Sequence, residues 1–113
     1  MIERHVFIKL KPEYTDPAAL AEIETRSLQL SAVPGVRGVN VGWPADAGAR
    51  AAWDFCLTVR CDSLDAIAVY LEHAEHEAYY EGFLEPRHVL GRTRRDAHGH
   101  AFGRRVGVQV VQP

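Results

Sequence analysis

The chain has 113 residues, 47% of them hydrophobic and 25% charged, and a net charge of −2. A domain of this length buries roughly two-thirds of its unfolded surface, so one domain over residues 1–113 is expected, without disulfide staples. No apolar run approaches the ~18 to 20 residues that cross a bilayer, and Met1-Ile2-Glu3-Arg4 opens no signal-peptide core; both point to the cytoplasm and away from the membrane.

Arg4 to Lys11 alternates, with Val6, Ile8 and Leu10 on one face and His5, Phe7 and Lys9 on the other, the pattern of a strand with one buried face. Pro12 ends it. Asp16 followed by Pro17 supplies an N-cap and a first-turn proline. The helix they start is expected to reach about Ala32, with Leu20, Ile23, Ser27 and Leu30 inward. Pro34-Gly35 stops it. A second strand spans Val36 to Trp43, with Val39 and Val41 on one face and Gly38, Asn40 and Gly42 leaving the other flat. Pro44 to Ala52 reads as an exposed hairpin loop, and Trp53 to Cys61 as the third strand, with Phe55, Leu57 and Val59 opposite Cys56, Thr58 and Arg60. Cys56 and Cys61 fall on opposite faces and outside any CxxC spacing, so both read as packing residues.

Asp62 or Ser63 caps the next helix, whose apolar stripe is expected at Leu64, Ile67, Ala68 and Leu71. A histidine-bearing corner and a second short helix follow, ending at Pro86. From Arg87 to Gly103 periodicity is lost, and a mobile arginine-rich loop is expected before a last strand over Arg104 to Val111. Up to Pro86 there are fourteen acidic against seven basic residues; beyond it six arginines face only Asp96. Such a tail can bind anions or nucleic acid. No aromatic platform or recognition module accompanies it, so nucleic acid is not the expected partner.

The order β-α-β-β-α(α)-β predicts an α+β, ferredoxin-like split βαβ fold, a four-stranded antiparallel sheet with helices on one face. The other face would carry His5, Phe7, Cys56 and Thr58 beside flat glycines. Part of that surface is too apolar to stay wet, so a homodimer packing sheet against sheet into a β-barrel is expected.

Leu64 to Pro86 holds the densest set of groups able to do acid–base or ligand chemistry: Tyr70, His73, His76, Tyr79 and Tyr80. His73 is expected to cap the end of the preceding helix. His73 and His76 have HxxH spacing near Glu72 and Glu77 but lack a third ligand, and His98-Gly99-His100 lies in the loop, so no metal or cofactor is expected. Tyr79, Tyr80 and Phe83 read as core or interface, and Trp43 and Trp53 as a rim for a pocket or a partner subunit.

Lys9-Leu10-Lys11-Pro12, Pro34-Gly35-Val36, Ser63 to Ala66 (S-L-D-A), Tyr70 to His76 (Y-L-x-H-x-x-H) and Phe83 to Pro86 (F-L-x-P) together resemble the stress-responsive A/B barrel (Dabb) domains. That family pairs its subunits into a dimeric β-barrel and includes structural stress proteins and a plant polyketide cyclase. In the cyclase branch a tyrosine and a histidine of this segment form the catalytic pair, and the matching positions here are Tyr70 and His76. The resemblance implies a site for a small hydrophobic or polyketide-like molecule, with acid–base cyclase or isomerase-like chemistry. A non-catalytic stress-responsive structural role, exerted through dimerisation, is the alternative.

Val6, Ile8, Phe55, Leu57, Ile67 and Tyr80 would line the pocket, with a first-strand residue beside them. In the family that residue is a histidine. Here His5 lies one residue closer to K-x-K than usual, so without a bulge Arg4 takes the pocket phase and His5 the opposite face. Ala74 stands where the family usually has proline, and the link to the last strand is longer.

Overall fold

The computed structural model describes residues 1–89, 94–95, 101–102 and 106–112. Its organising strand is β1 (Ile2–Ile8), which pairs antiparallel with β3 (Phe55–Cys61) on one edge and with β6 (Val106–Val111) on the other. β2 (Val36–Gly42) pairs antiparallel with the far edge of β3, giving the four-stranded order β2-β3-β1-β6. This is the ferredoxin-like arrangement expected from the element order.

Three helices begin at side-chain oxygen caps. Asp16 accepts from Ala19 N at 2.7 Å and starts α1 (Pro17–Leu28), which tightens into a 3₁₀ turn over Gln29–Ala32. Asp46 accepts from Ala49 N at 2.8 Å and starts α2 (Ala47–Ala52), so the stretch expected as loop contains a short helix. Four alanines and a capping acid outweigh the single internal glycine there. Ser63 accepts from Ala66 N at 3.1 Å and starts α3 (Leu64–Glu72). α4 (Ala74–Glu77) follows and opens into a wide π-type turn over Ala78–Leu84.

The core joins one face of the sheet to the helices: Val6, Ile8, Phe55, Leu57 and Val59 meet Ile23, Leu30, Ile67, Tyr70, Tyr79 and Phe83. The inward stripe of α1 lies as its periodicity predicts. That of α3 does not: Ile67 and Tyr70 are buried, whereas Leu64 and Val69 are 63% and 60% exposed and Ala68 is exposed too. The helix turns its long aromatic side chain, with the larger apolar area, toward the core.

β1 begins and ends earlier than expected. Beyond Ile8 the chain trades sheet pairing for a side-chain bond: Leu10 N donates to Asp54 Oδ2 at 2.6 Å, and Lys9 Nζ sits 3.6 Å from Asp54 Oδ1. Lys9–Lys11 then pairs with Arg87–Val89, Val89 N donating to Lys9 O and Lys11 N to Arg87 O, each at 2.8 Å. His88 is buried as a result. The stretch expected as a mobile loop from Arg87 therefore starts with three anchored residues. Arg94–Arg95 pairs with Ala101–Phe102 as β4 and β5; His98-Gly99-His100, Arg104 and Arg105 lie outside the described residues.

At Val33 to Val36 the chain reverses with Val36 N donating to Val33 O at 3.1 Å and Gly35 at φ +90°. Pro34 then Gly35 is the residue pattern of a type II turn. A side chain at position 35 would meet no atom within 4 Å, so backbone conformation alone demands glycine. Gly35→Ala is expected to destabilise the fold by about 1–2 kcal/mol, read from urea unfolding with an unchanged slope.

Candidate functional site

Between β1 and α3 the structure brings together three of the residues singled out from sequence. β1 runs without a bulge against β3, so Arg4 shares the core phase of Val6 and Ile8 and pairs with Val59. Tyr70, on the inward face of α3, is fully buried. His76, from α4, lies against it with ring centroids 4.8 Å apart. Val6, Ile8, Phe55, Leu57, Ile67 and Tyr70 belong to one buried apolar core.

The rings continue as a row. His76 stacks on Tyr80 at 6.5 Å with planes 6° apart, and Tyr80 on His88 at 6.0 Å, with Tyr80 Oη 3.5 Å from His88 Nε2. His88 is the member that sequence reasoning missed, because it follows Pro86 in a stretch without periodicity; its pairing with Leu10 is non-local.

Two buried phenols differ in one respect. Tyr79 Oη lies 2.7 Å from Ser27 Oγ, and burial pushes its pKa up to about 12. The Tyr70 hydroxyl is buried with no hydrogen-bond partner among the described residues. Burial raises the Tyr70 pKa further, against the pull of the Arg4 charge, so the group stays an O–H donor at neutral pH.

His76 Nδ1 lies 2.9 Å from Leu71 O. A carbonyl only accepts, so Nδ1 carries the hydrogen and, in the neutral ring, Nε2 keeps its lone pair. Burial lowers the His76 pKa; the bond to Leu71 opposes this, and the Arg4 charge adds to it. The ring is therefore neutral near pH 7.

Other expected residues go elsewhere. His5 faces away from the helices, its Nδ1 2.8 Å from Thr58 Oγ1 and its Nε2 3.3 Å from Glu3 Oε1, so a site between sheet and helices excludes it. The reason is the unbroken alternation of β1. Glu3 also accepts from Arg60 Nε at 2.6 Å, and Arg60 bonds Asn40. The open face thus carries a hydrogen-bonded charged row beside the Phe7–Trp53 edge contact, and is more polar than expected. A Cβ at Gly38 would sit 3.6 Å from the Arg60 guanidinium, an ordinary van der Waals contact, so Arg60 lies across this glycine without requiring it.

His73 caps the start of α4, accepting from Glu75 N at 3.1 Å, and not the end of α3, where its backbone N–H serves instead. Among the described residues no three His, Cys, Asp or Glu side chains gather as a metal site. Cys56 and Cys61 are free, their pKa values raised chiefly by burial. Phe83 is covered by two guanidinium groups, Arg87 at 4.0 Å and Arg26 at 4.6 Å from the ring centroid. A separate cleft of about 610 Å3, lined by Lys9, Leu10, Leu20, Trp43, Arg50 and Asp54 among others, includes neither Tyr70 nor His76. No described helix is long and apolar enough to cross a membrane.

Comparison with known structures gives the same architecture. A Dabb family protein with a ferredoxin-like fold from Mesorhizobium loti superposes with a TM-score of 0.74 at 15% identity, over 99% of this chain and 95% of that one. A protein of Arabidopsis thaliana gives a TM-score of 0.73 at 15% identity, over 100% and 95%. A dimeric protein of unknown function from Bacteroides fragilis, also ferredoxin-like, gives 0.66 at 16% identity, over 98% and 94%. The sequence matches no curated protein. The model of the stress-responsive A/B barrel domain matches residues 2–90, and with this the chain belongs to that family.

Proposed function

We propose that this chain binds a small apolar, polyketide-like molecule between its sheet and helices and moves a proton on it, with His76 as base and Tyr70 as hydrogen-bond donor. The observation that carries the reading is the Tyr70 hydroxyl, buried without a hydrogen-bond partner among the described residues and beside a neutral imidazole. An unsatisfied buried hydroxyl costs about 1–3 kcal/mol. Phenylalanine would avoid that cost, so the hydroxyl is best explained by a ligand that accepts from it.

The chemistry follows from the protonation states. His76 Nε2 takes an acidic proton from the carbon between two carbonyls; the C–H electron pair becomes the enolate, and the charge settles on oxygen. Tyr70 O–H donates to that oxygen, a bond that strengthens as charge develops. Val6, Leu57 and Ile67 supply apolar surface to the rest of the molecule. Hydrogen–deuterium exchange at the central carbon of a 1,3-diketone is the assay. Tyr70→Phe is expected to slow it about tenfold or more, and His76→Ala by about 10²-fold. Unchanged rates in both variants would falsify the pair.

The depressed His76 pKa also sets a pH dependence. The folded chain binds this proton more weakly than the unfolded one, so the stability it contributes is complete above the ordinary value of 6.5 and is lost as pH falls through the lower folded value. Thermal melting of wild type and His76→Gln should show the wild type's relative stability shrinking as the medium is acidified. A gap independent of pH would speak against a buried neutral imidazole.

A second reading, assembly as the main role, draws on the open sheet face. Glu3 and His5 there are only 19% and 24% exposed, and Phe7 and Trp53 form an apolar edge beside them. A second copy packed on this face would cover both, in line with the dimeric Bacteroides fragilis protein. Sedimentation should give the mass of two chains for wild type and of one for Phe7→Asp; a single-chain mass for wild type would exclude the dimer.

A further inference from the structure

Among the described residues, a charged group that the proton transfer does not use stands on the helix-facing side of the sheet. Arg4 stands on the central strand, between Val59 of β3 and Val110 of β6, and is half-buried. Elsewhere guanidinium groups find acceptors: Arg37 bonds Asp62 at 2.8 Å, Arg60 bonds Glu3 at 2.6 Å and Arg87 bonds Phe83 O at 2.6 Å. The Arg4 side chain makes no hydrogen bond, ion pair or ring contact among the described residues. Yet its charge acts on both the Tyr70 phenol and the His76 imidazole.

A half-buried guanidinium without a counter-charge among the described residues is costly unless something anionic joins it. Its planar fork matches a carboxylate, two parallel N–H groups to two oxygens. One guanidinium balances one negative charge, the charge of a carboxylate, whereas a phosphate monoester carries nearly two. The neighbouring groups extend the match. A phenol O–H suits a ketone oxygen, and an imidazole lone pair suits the proton on the carbon between ketone and carboxylate.

We infer that the ligand is an oxo acid with an apolar tail, its carboxylate held by Arg4 and its ketone oxygen by Tyr70. This rests on the interior site proposed above and narrows its substrate class from polyketide-like molecules in general to those bearing a free carboxylate. Arg4 is then a binding residue, and its contribution lies in affinity before any proton moves. A role confined to stabilising the enolate would leave ground-state binding untouched.

The test uses two probes of equal chain length, octanoate and octanamide, titrated calorimetrically into wild type, Arg4→Met and Arg4→Lys. Wild type should bind octanoate about tenfold or more tightly than octanamide, the worth of one charge-assisted bidentate pair. Arg4→Met should bring octanoate down to the affinity of octanamide while leaving octanamide unchanged. Arg4→Lys, which keeps the charge and loses the fork, should retain part of the preference, and it keeps the test alive if Arg4→Met fails to fold. Equal binding of both probes by wild type would overturn the carboxylate assignment and leave the apolar site standing. Uptake of neither probe would overturn both.

Discussion

A strand hydrogen-bonded along both edges has nowhere to slip. β1 is such a strand, locked to β3 and β6 over almost its whole length, and a shift of one residue would send its buried side chains to the open face. The polar side chains of β1 are sorted by that lock. Arg4 goes to the helices with Tyr70 and His76; Glu3 and His5 go to the opposite side with Thr58 and Arg60. Two polar systems only one residue apart in sequence are thereby separated by the thickness of a sheet.

The two buried phenols are satisfied differently. Tyr79 and Ser27 satisfy each other at 2.7 Å and help join α1 to the wide turn. Tyr70, equally removed from water, has no such companion among the described residues. A core selected only for stability tends to be locally consistent, and departures gather where a chain has something to do. The open Tyr70 hydroxyl, the half-buried Arg4 and the neutral His76 are three departures in one place.

Much of the fold was legible in sequence because strands and α1 carry strong periodicity: the alternation in β1, β2 and β3 and the spacing Leu20, Ile23, Ser27, Leu30 leave little choice. The phase of Arg4 against His5 was legible too, once a bulge in β1 was set aside. What could not be read is non-local. α3 buries Tyr70 at the expense of Leu64, a choice made by the core it meets. His88 is fixed by pairing with Leu10, and no local pattern around it signals that. α2 was missed for another reason, since alanine and glycine together read as loop until the Asp46 cap is given its weight.

The wide turn over Ala78–Leu84 holds more residues per turn than an α-helix, Glu85 N reaching back five residues to Tyr80 O at 2.7 Å. That spare residue is a phase adjuster. Removing one position near Gly82 would let the backbone relax to the tighter winding and rotate all that follows by about 100°. Phe83 would swing away from the Arg26 guanidinium, and the strand-like pairing of His88 with Leu10 would lose its alignment. Insertions and deletions should therefore be rarer in this short segment than its glycine and exposed Glu81 suggest, because its length, more than its composition, sets where the rest of the chain returns to the sheet.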